Sequence, residues 1–191
     1  MTQTPLTSWR WKRAEYDRLV DLDVFRGKPI ELIGGQLVVA EAQSAYHASA
    51  VGTVDYALRA AVPSGWTVRV QAPIALDEES EPEPDLAVVS GRPADYRAEH
   101  PAHPVLVVEV AESSLAFDRA QKGSLYARAG IEDYWIVNLV DRVLEVYREP
   151  VRGPSSAYGW RYRSVIVLTS RDVTMPLALP PNRIAVADLL R

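Results

Sequence analysis

VLVVEVAESSLAFDRAQKGSLYARAG, residues 105–130, is the stretch whose reading decides the fold. Val105, Leu106, Val107, Val108 and Val110 surround a single carboxylate, Glu109. A near-continuous apolar run of this length is the pattern of a strand buried on both faces. Glu109 is out of place there on hydrophobic grounds. An isolated buried carboxylate is costly enough that it neutralises, pairs with a cation or coordinates a metal. Beyond a polar link (Glu112, Ser113, Ser114), the spacing predicts a helix from about Asp118 to Ala129, closed by Gly130. Asp118 and Gln121 form its N-terminal capping pair. Asp118, Lys122 and Tyr126 recur at steps of four and so share one helix face.

Immediately upstream, Leu86-Ala87-Val88-Val89 reads as a short strand with Asp85 at its entrance. Antiparallel pairing of 85–89 with 105–110 is the simplest topology for neighbouring strands joined by a loop. It sets the start of one strand opposite the end of the other and brings Asp85 beside Glu109. Two like charges at one hairpin end are costly without a cation between them. Mg²⁺ prefers oxygen ligands and is held by one or two carboxylates plus substrate phosphates. Asp85 and Glu109 supply that minimum, and a backbone carbonyl near Val110 can add a third oxygen. Lys122 is the lysine placed to orient a water and neutralise phosphate charge. Together these parts describe metal-assisted phosphodiester hydrolysis. Spacing alone leaves plainer readings open. Asp118 and Lys122 can be a helix ion pair worth ~0.3–0.5 kcal/mol, Asp85 a turn residue, and Glu109 a partner for an arginine.

The remaining segments arrange around this centre. Residues 9–20 read as a short amphipathic helix with a basic edge. Residues 29–33 and 36–39 alternate around Gly34-Gly35 as a hairpin, with Glu31 as an exposed edge carboxylate. Ser44 caps a helix running to about Ala61, with His47 in its first turn as a surface or capping residue. Residues 66–71 read as a strand that resumes after Pro73 at 74–76, and Asp77 to Glu81 as a solvated acidic loop. Residues 90–104 have loop composition with room for one helical turn. Strands follow at 133–139, 143–147 and 160–168, then a short helix or docking segment at 184–190.

Composition narrows the chemistry. The chain has 191 residues, is 48% hydrophobic and 24% charged, and carries no cysteine, so disulfides, thiolate catalysis and Cys-based zinc sites are excluded. Its three histidines (His47, His100, His103) are too scattered in sequence to suggest a histidine metal cluster. No signal-like or membrane-length apolar run is present, so the expected location is cytoplasmic, with no membrane partner. A net charge of −4 argues against wholesale coating of nucleic acid, although a local basic patch can coexist with it. Arg10, Lys12, Arg13, Arg92 and Arg97 are the candidates for such a patch.

A set of blocks recurs in a characteristic order: Glu31-Leu32-Ile33-Gly34-Gly35-Gln36-Leu37-Val38, Glu83-Pro84-Asp85-Leu86-Ala87-Val88-Val89, Val107-Val108-Glu109-Val110, Asp118-Arg119-Ala120-Gln121-Lys122, Leu125 to Ile131, and Asp133-Tyr134-Trp135-Ile136-Val137. In this order they resemble the Uma-two family of bacterial restriction-endonuclease-like proteins, within the PD-(D/E)XK nuclease superfamily. The resemblance runs from about Arg13 to Tyr147. It implies an α/β fold, a restriction-endonuclease-like PD-(D/E)XK core with a central mixed β-sheet flanked by helices. With no internal repeat and no low-complexity linker in the sequence, the whole chain, 1–191, reads as one domain. Its N-terminal helix and hairpin span about 9–40, the nuclease core about 44–150, and a C-terminal strand and tail 158–191. It also implies catalytic Asp85, Glu109 and Lys122, with Asp85, Glu109 and the Val110 carbonyl as ligands of Mg²⁺ (Mn²⁺ as the substitute). The superfamily's lysine position, two residues after the acid, is Ala111 here, and the resemblance moves the lysine to the following helix. Glu31, Glu83 and Gln71 become auxiliary site residues, and Tyr126 and Tyr134 packing residues. The expected partners are DNA and a second copy of the chain. The alternative is a non-catalytic binding homodimer that keeps the nuclease fold.

Overall fold

The computed structural model describes residues 7–40 and 43–191, so the ends of the expected single domain are described from residue 7 onward. Six strands form the central sheet in the order β3-β4-β5-β6-β7-β8: Trp66–Val70, Leu86–Ser90, Leu106–Ala111, Asp133–Asn138, Val143–Arg152 and Trp160–Leu168. Every neighbouring pair is antiparallel except β5 and β6, which run parallel. A parallel pair needs a crossover, and residues 115–128 supply it as a helix, α3. The sheet is therefore mixed, as expected.

Strand alternation divides β5 between two layers. Leu106, Val108 and Val110 pack with Ala50, Val54 and Leu58 of helix α2 (Ala45–Ala61) on one face. Val107 and Ala111 pack with Tyr126, Ala127 and Tyr134 on the other. Glu109 shares the second face, beneath α3. Ser44 caps α2 by accepting the His47 N–H at 3.0 Å.

The Gly34-Gly35 turn joins β1 (Ile30–Ile33) to β2 (Gln36–Val39), with φ of 55° and 79° at the two glycines. Type I′ hairpin turns require both central residues in this left-handed region. A Cβ on Gly34 would also lie 2.3 Å from the Tyr158 ring, so the position excludes a side chain on two counts.

Three local expectations change. Residues 74–76 form no strand; Ile74, Ala75 and Leu76 donate their backbone N–H groups to Pro82, Pro101 and Ser80 instead. The acidic segment is not a solvated loop. Ser80 and Glu81 are buried, and the backbone oxygens of Glu78 and Glu79 accept from Arg13 and Gly35. This loop therefore docks helix α1 (Arg13–Asp21) and the hairpin onto the domain. Finally, α3 begins at Leu115 rather than at Asp118, so Asp118 is not its N-cap.

Candidate active site

Asp85 stands one residue before β4, and the register that pairs Leu86 with Val108 puts it opposite Glu109. The two carboxylates interlock with backbone. Asp85 Oδ2 accepts from Val110 N at 2.8 Å, and Glu109 Oε2 lies 3.4 Å from Asp85 N. Gln71, at the end of β3 with φ of 45°, donates its N–H to the Asp85 carbonyl at 2.9 Å and turns its Nε2 to 3.4 Å from Asp85 Oδ1. Backbone strain of this kind collects at functional sites.

Helix α3 delivers the lysine through an irregularity. Its middle, Asp118–Lys122, is a π-helical turn between Leu115–Phe117 and Gly123–Arg128, in which Gly123 N donates to Asp118 O. One extra residue in the turn rotates the C-terminal half of the helix, a device common at functional sites. Gly123 makes room for it, since a Cβ there would come within 3.3 Å of that carbonyl. Lys122 Nζ then reaches Glu109 Oε1 at 3.0 Å and Glu31 Oε2 at 3.5 Å. Asp118 does not pair with Lys122 as a helix ion pair; it accepts from Ser114 Oγ at 2.6 Å.

Glu109 is fully enclosed. Burial pushes its carboxyl up to about 8, against the pull of the Lys122 ammonium. Lys122 moves upward as well: its own burial opposes the charged form, but Glu109, Glu31 and Asp118 outweigh it. Burial likewise lifts Asp118 to about 6. Tyr126 is held protonated by burial and donates to Glu109 Oε1 at 2.7 Å. Oε1 is thus taken by the lysine and the tyrosine, which leaves Oε2 turned toward Asp85. Tyr126 is therefore more than a packing residue. Tyr126→Phe is expected to lower stability by ~0.5–1.5 kcal/mol, the net value of an ordinary hydrogen bond, as measured by denaturant unfolding.

Glu31 is not the exposed edge carboxylate its strand suggests. It is buried, and Oε2 accepts from Glu83 N at 2.9 Å, tying the hairpin to the strand entrance. Glu83 itself is exposed at the rim. His47, read from sequence as a surface or capping residue, enters the site instead. Its Nε2 lies 2.8 Å from the Val110 carbonyl and 3.4 Å from Asp85 Oδ2, and Asp85 raises its pKa. Contacts that span 63 and 38 residues leave no local signal. Val39, Gln71, Ser114, Phe117 and these side chains line one cleft of about 890 Å³.

Among the described residues, no three His, Cys, Asp or Glu side chains converge closely enough to hold a metal on their own. The donor set suits a hard divalent cation nonetheless. It comprises two carboxylates and the Val110 carbonyl, a set that Mg²⁺ completes with water and substrate oxygens. The candidate basic patch is divided. Arg10 and Lys12 bind Glu79 at 2.9 and 2.8 Å, while Arg92 N donates to Asp95 Oδ2 at 2.8 Å at the start of a 3₁₀ turn.

Comparison with known proteins fits this architecture. No curated protein matches the chain. A solved structure from Anabaena variabilis ATCC 29413, titled as a "putative nuclease belonging to DUF820", is similar in fold: the TM-score is 0.60 at 14% identity, over 84% of this chain and 89% of that one. The six-stranded mixed sheet flanked by helices is restriction-endonuclease-like. The model of the Uma2 family, described as "Putative restriction endonuclease", matches residues 13–187, and the chain belongs to that family.

Proposed function

We propose that this protein is a divalent-metal-dependent endonuclease that hydrolyses DNA phosphodiester bonds. The observation that carries the reading is the split use of Glu109: Oε1 is held by Lys122 and Tyr126, while Oε2 faces Asp85. A binding module has no use for two carboxylates buried at one strand end, each held by the backbone of the other's strand. Asp85, Glu109 and the Val110 carbonyl would hold Mg²⁺ or Mn²⁺. A bound ion of this kind supplies a Lewis acid that lowers the pKa of water and takes up charge on phosphoryl oxygens. Lys122 keeps its positive charge beside Glu109, and the N–H bond that Glu109 and Glu31 leave free would orient a water or donate to a phosphate oxygen. Glu31 is the second anchor of that ammonium, and Gln71 holds Asp85 in orientation.

The cleft lining favours this over a non-catalytic DNA-binding role. Glu31, Glu83, Asp85, Glu109, Glu112 and Asp118 face it, and among the described residues Lys122 and His47 are the only cationic side chains there. A phosphate enters such a site only with a metal ion present. We further infer a cytoplasmic homodimer. Val165, Ile166 and Val167 are 50, 47 and 58% exposed on β8, the sheet's edge strand, which is a surface suited to a second copy.

The test is incubation of plasmid and single-stranded DNA with the protein and Mn²⁺ or Mg²⁺. Cleavage that stops with EDTA is the expected result. DNA binding without cleavage of any of these substrates, in either metal, would favour the binding role.

A further inference from the structure

We infer that the apolar wall of the cleft is a nucleobase subsite, where Phe117 stacks on an unpaired base beside the scissile phosphate. This rests on the nuclease reading above and narrows its substrate to single-stranded or locally opened DNA. Pro29, Val38, Val39, Ala40 and Phe117 line the same cleft as the carboxylates. The hairpin register sets Val38 directly across from Glu31, and Glu31 Oε2 lies 3.5 Å from Lys122 Nζ. Cross-strand partners of this kind hold their Cβ atoms ~5 Å apart on one face. The apolar wall therefore begins one side chain away from the lysine. Phe117 comes from α3, at the residue before the π turn that carries Asp118 and Lys122.

The Phe117 ring serves neither layer of the fold. Leu115, two residues earlier, packs against the layer of Tyr126 and Tyr134, but Phe117 joins neither that layer nor the one beneath α2. Among the described residues no other aromatic ring stacks on it. It is partly exposed at the cleft, and Val39 is 62% exposed. Charge decides which part of a nucleotide enters here. Six carboxylates face the cleft against Lys122 and His47, so phosphates are repelled beyond the one that a metal ion and Lys122 neutralise. A base is neutral, and its faces stack on an aromatic ring whatever its identity. Inside a duplex those faces are covered by neighbouring bases; a single-stranded or everted base presents them.

The test is fluorescence titration of the full chain, with Ca²⁺ as the cation, against single-stranded oligonucleotides carrying one 2-aminopurine or one abasic residue, each scanned along the strand. Wild type is expected to quench 2-aminopurine at one position and to bind the strand lacking that base more weakly, on the order of tenfold. Phe117→Ala should lose the quench, bind the intact strand as weakly, and show no further loss on the abasic strand. Phe117→Trp should keep both signals. Equal wild-type affinity for intact and abasic strands across the scan, full quenching in Phe117→Ala, or tighter binding of the same sequence as a duplex would overturn the assignment. The abasic scan uses wild type alone, so it decides the matter even if a variant fails to fold. Cleavage in Mg²⁺ or Mn²⁺ that is indifferent to the missing base defeats the subsite alone. Base-dependent binding with no cleavage of any DNA defeats the nuclease reading alone, and a wild type that binds no oligonucleotide defeats both.

Discussion

Asp85→Asn is expected to abolish metal uptake and cleavage while leaving the fold in place. The asparagine side-chain oxygen can still accept the Val110 N–H that Asp85 Oδ2 receives at 2.8 Å, so that buried donor keeps its partner. What disappears is one negative charge of a two-carboxylate site, in a cleft where a hard cation depends on oxygen charge. Lewis-acid stabilisation is worth several kcal/mol, so cleavage should fall on the order of 10³-fold. Calorimetry with Mn²⁺ and a plasmid-nicking assay read the two losses, and thermal unfolding checks the fold. Asp85→Ala makes the contrast: it strands the Val110 N–H and should cost a further ~1–3 kcal/mol of stability. Undiminished Mn²⁺ affinity in Asp85→Asn would remove Asp85 from the ligand set.

Lys122→Met should cost both activity and stability, and the stability loss should grow with pH. The ammonium lies 3.0 Å from Glu109 Oε1 and 3.5 Å from Glu31 Oε2, both buried. Removing one partner of a buried ion pair leaves an uncompensated charge, a loss of ~3–5 kcal/mol. Protonation can relieve that cost. With Lys122 present, burial already holds the Glu109 carboxyl at about 8. Without the ammonium it moves higher still. A folded pKa raised above the unfolded value contributes stability at low pH and loses it as pH rises through the folded value. The deficit of Lys122→Met relative to wild type should therefore change little up to pH 7, where Glu109 is protonated in both folded proteins, and widen between pH 7 and pH 9. Denaturant unfolding at the two pH values reads it. Adding Glu109→Gln should recover much of the stability lost at pH 9, since no buried charge then forms at that position, and no cleavage activity. A deficit independent of pH would show that the lysine acts by packing alone.

Much of the architecture was legible because it depends on local rules. The hairpin, the α2 helix with its Ser44 cap and the 160–168 strand lie where apolar period, turn glycines and capping residues place them. The facing of Asp85 and Glu109 was legible for a related reason: an antiparallel register between neighbouring strands follows from short connections. The π turn was not. It inserts one residue without changing the apolar pattern, and it appears only where Gly123 meets the Asp118 carbonyl. The burial of Glu31 and of Ser80 and Glu81 was hidden for another reason. Acidic residues read as solvated unless their distant partners are known, and these partners lie 46 to 91 residues away in Gly34, Glu83 and Lys122.

The amino-acid order alone is enough for the strands around β5 and for the pair of carboxylates at one hairpin end, because strand periodicity and chain connectivity suffice for these. The surroundings of that pair were settled by tertiary packing. The packing of α2 over the strand ends brought in His47, the rotation of α3 aimed Lys122 and Tyr126 at one oxygen of Glu109, and the hairpin closed Glu31 over the ammonium. Each of these is a contact between layers, set by how buried faces fit rather than by any period along the chain.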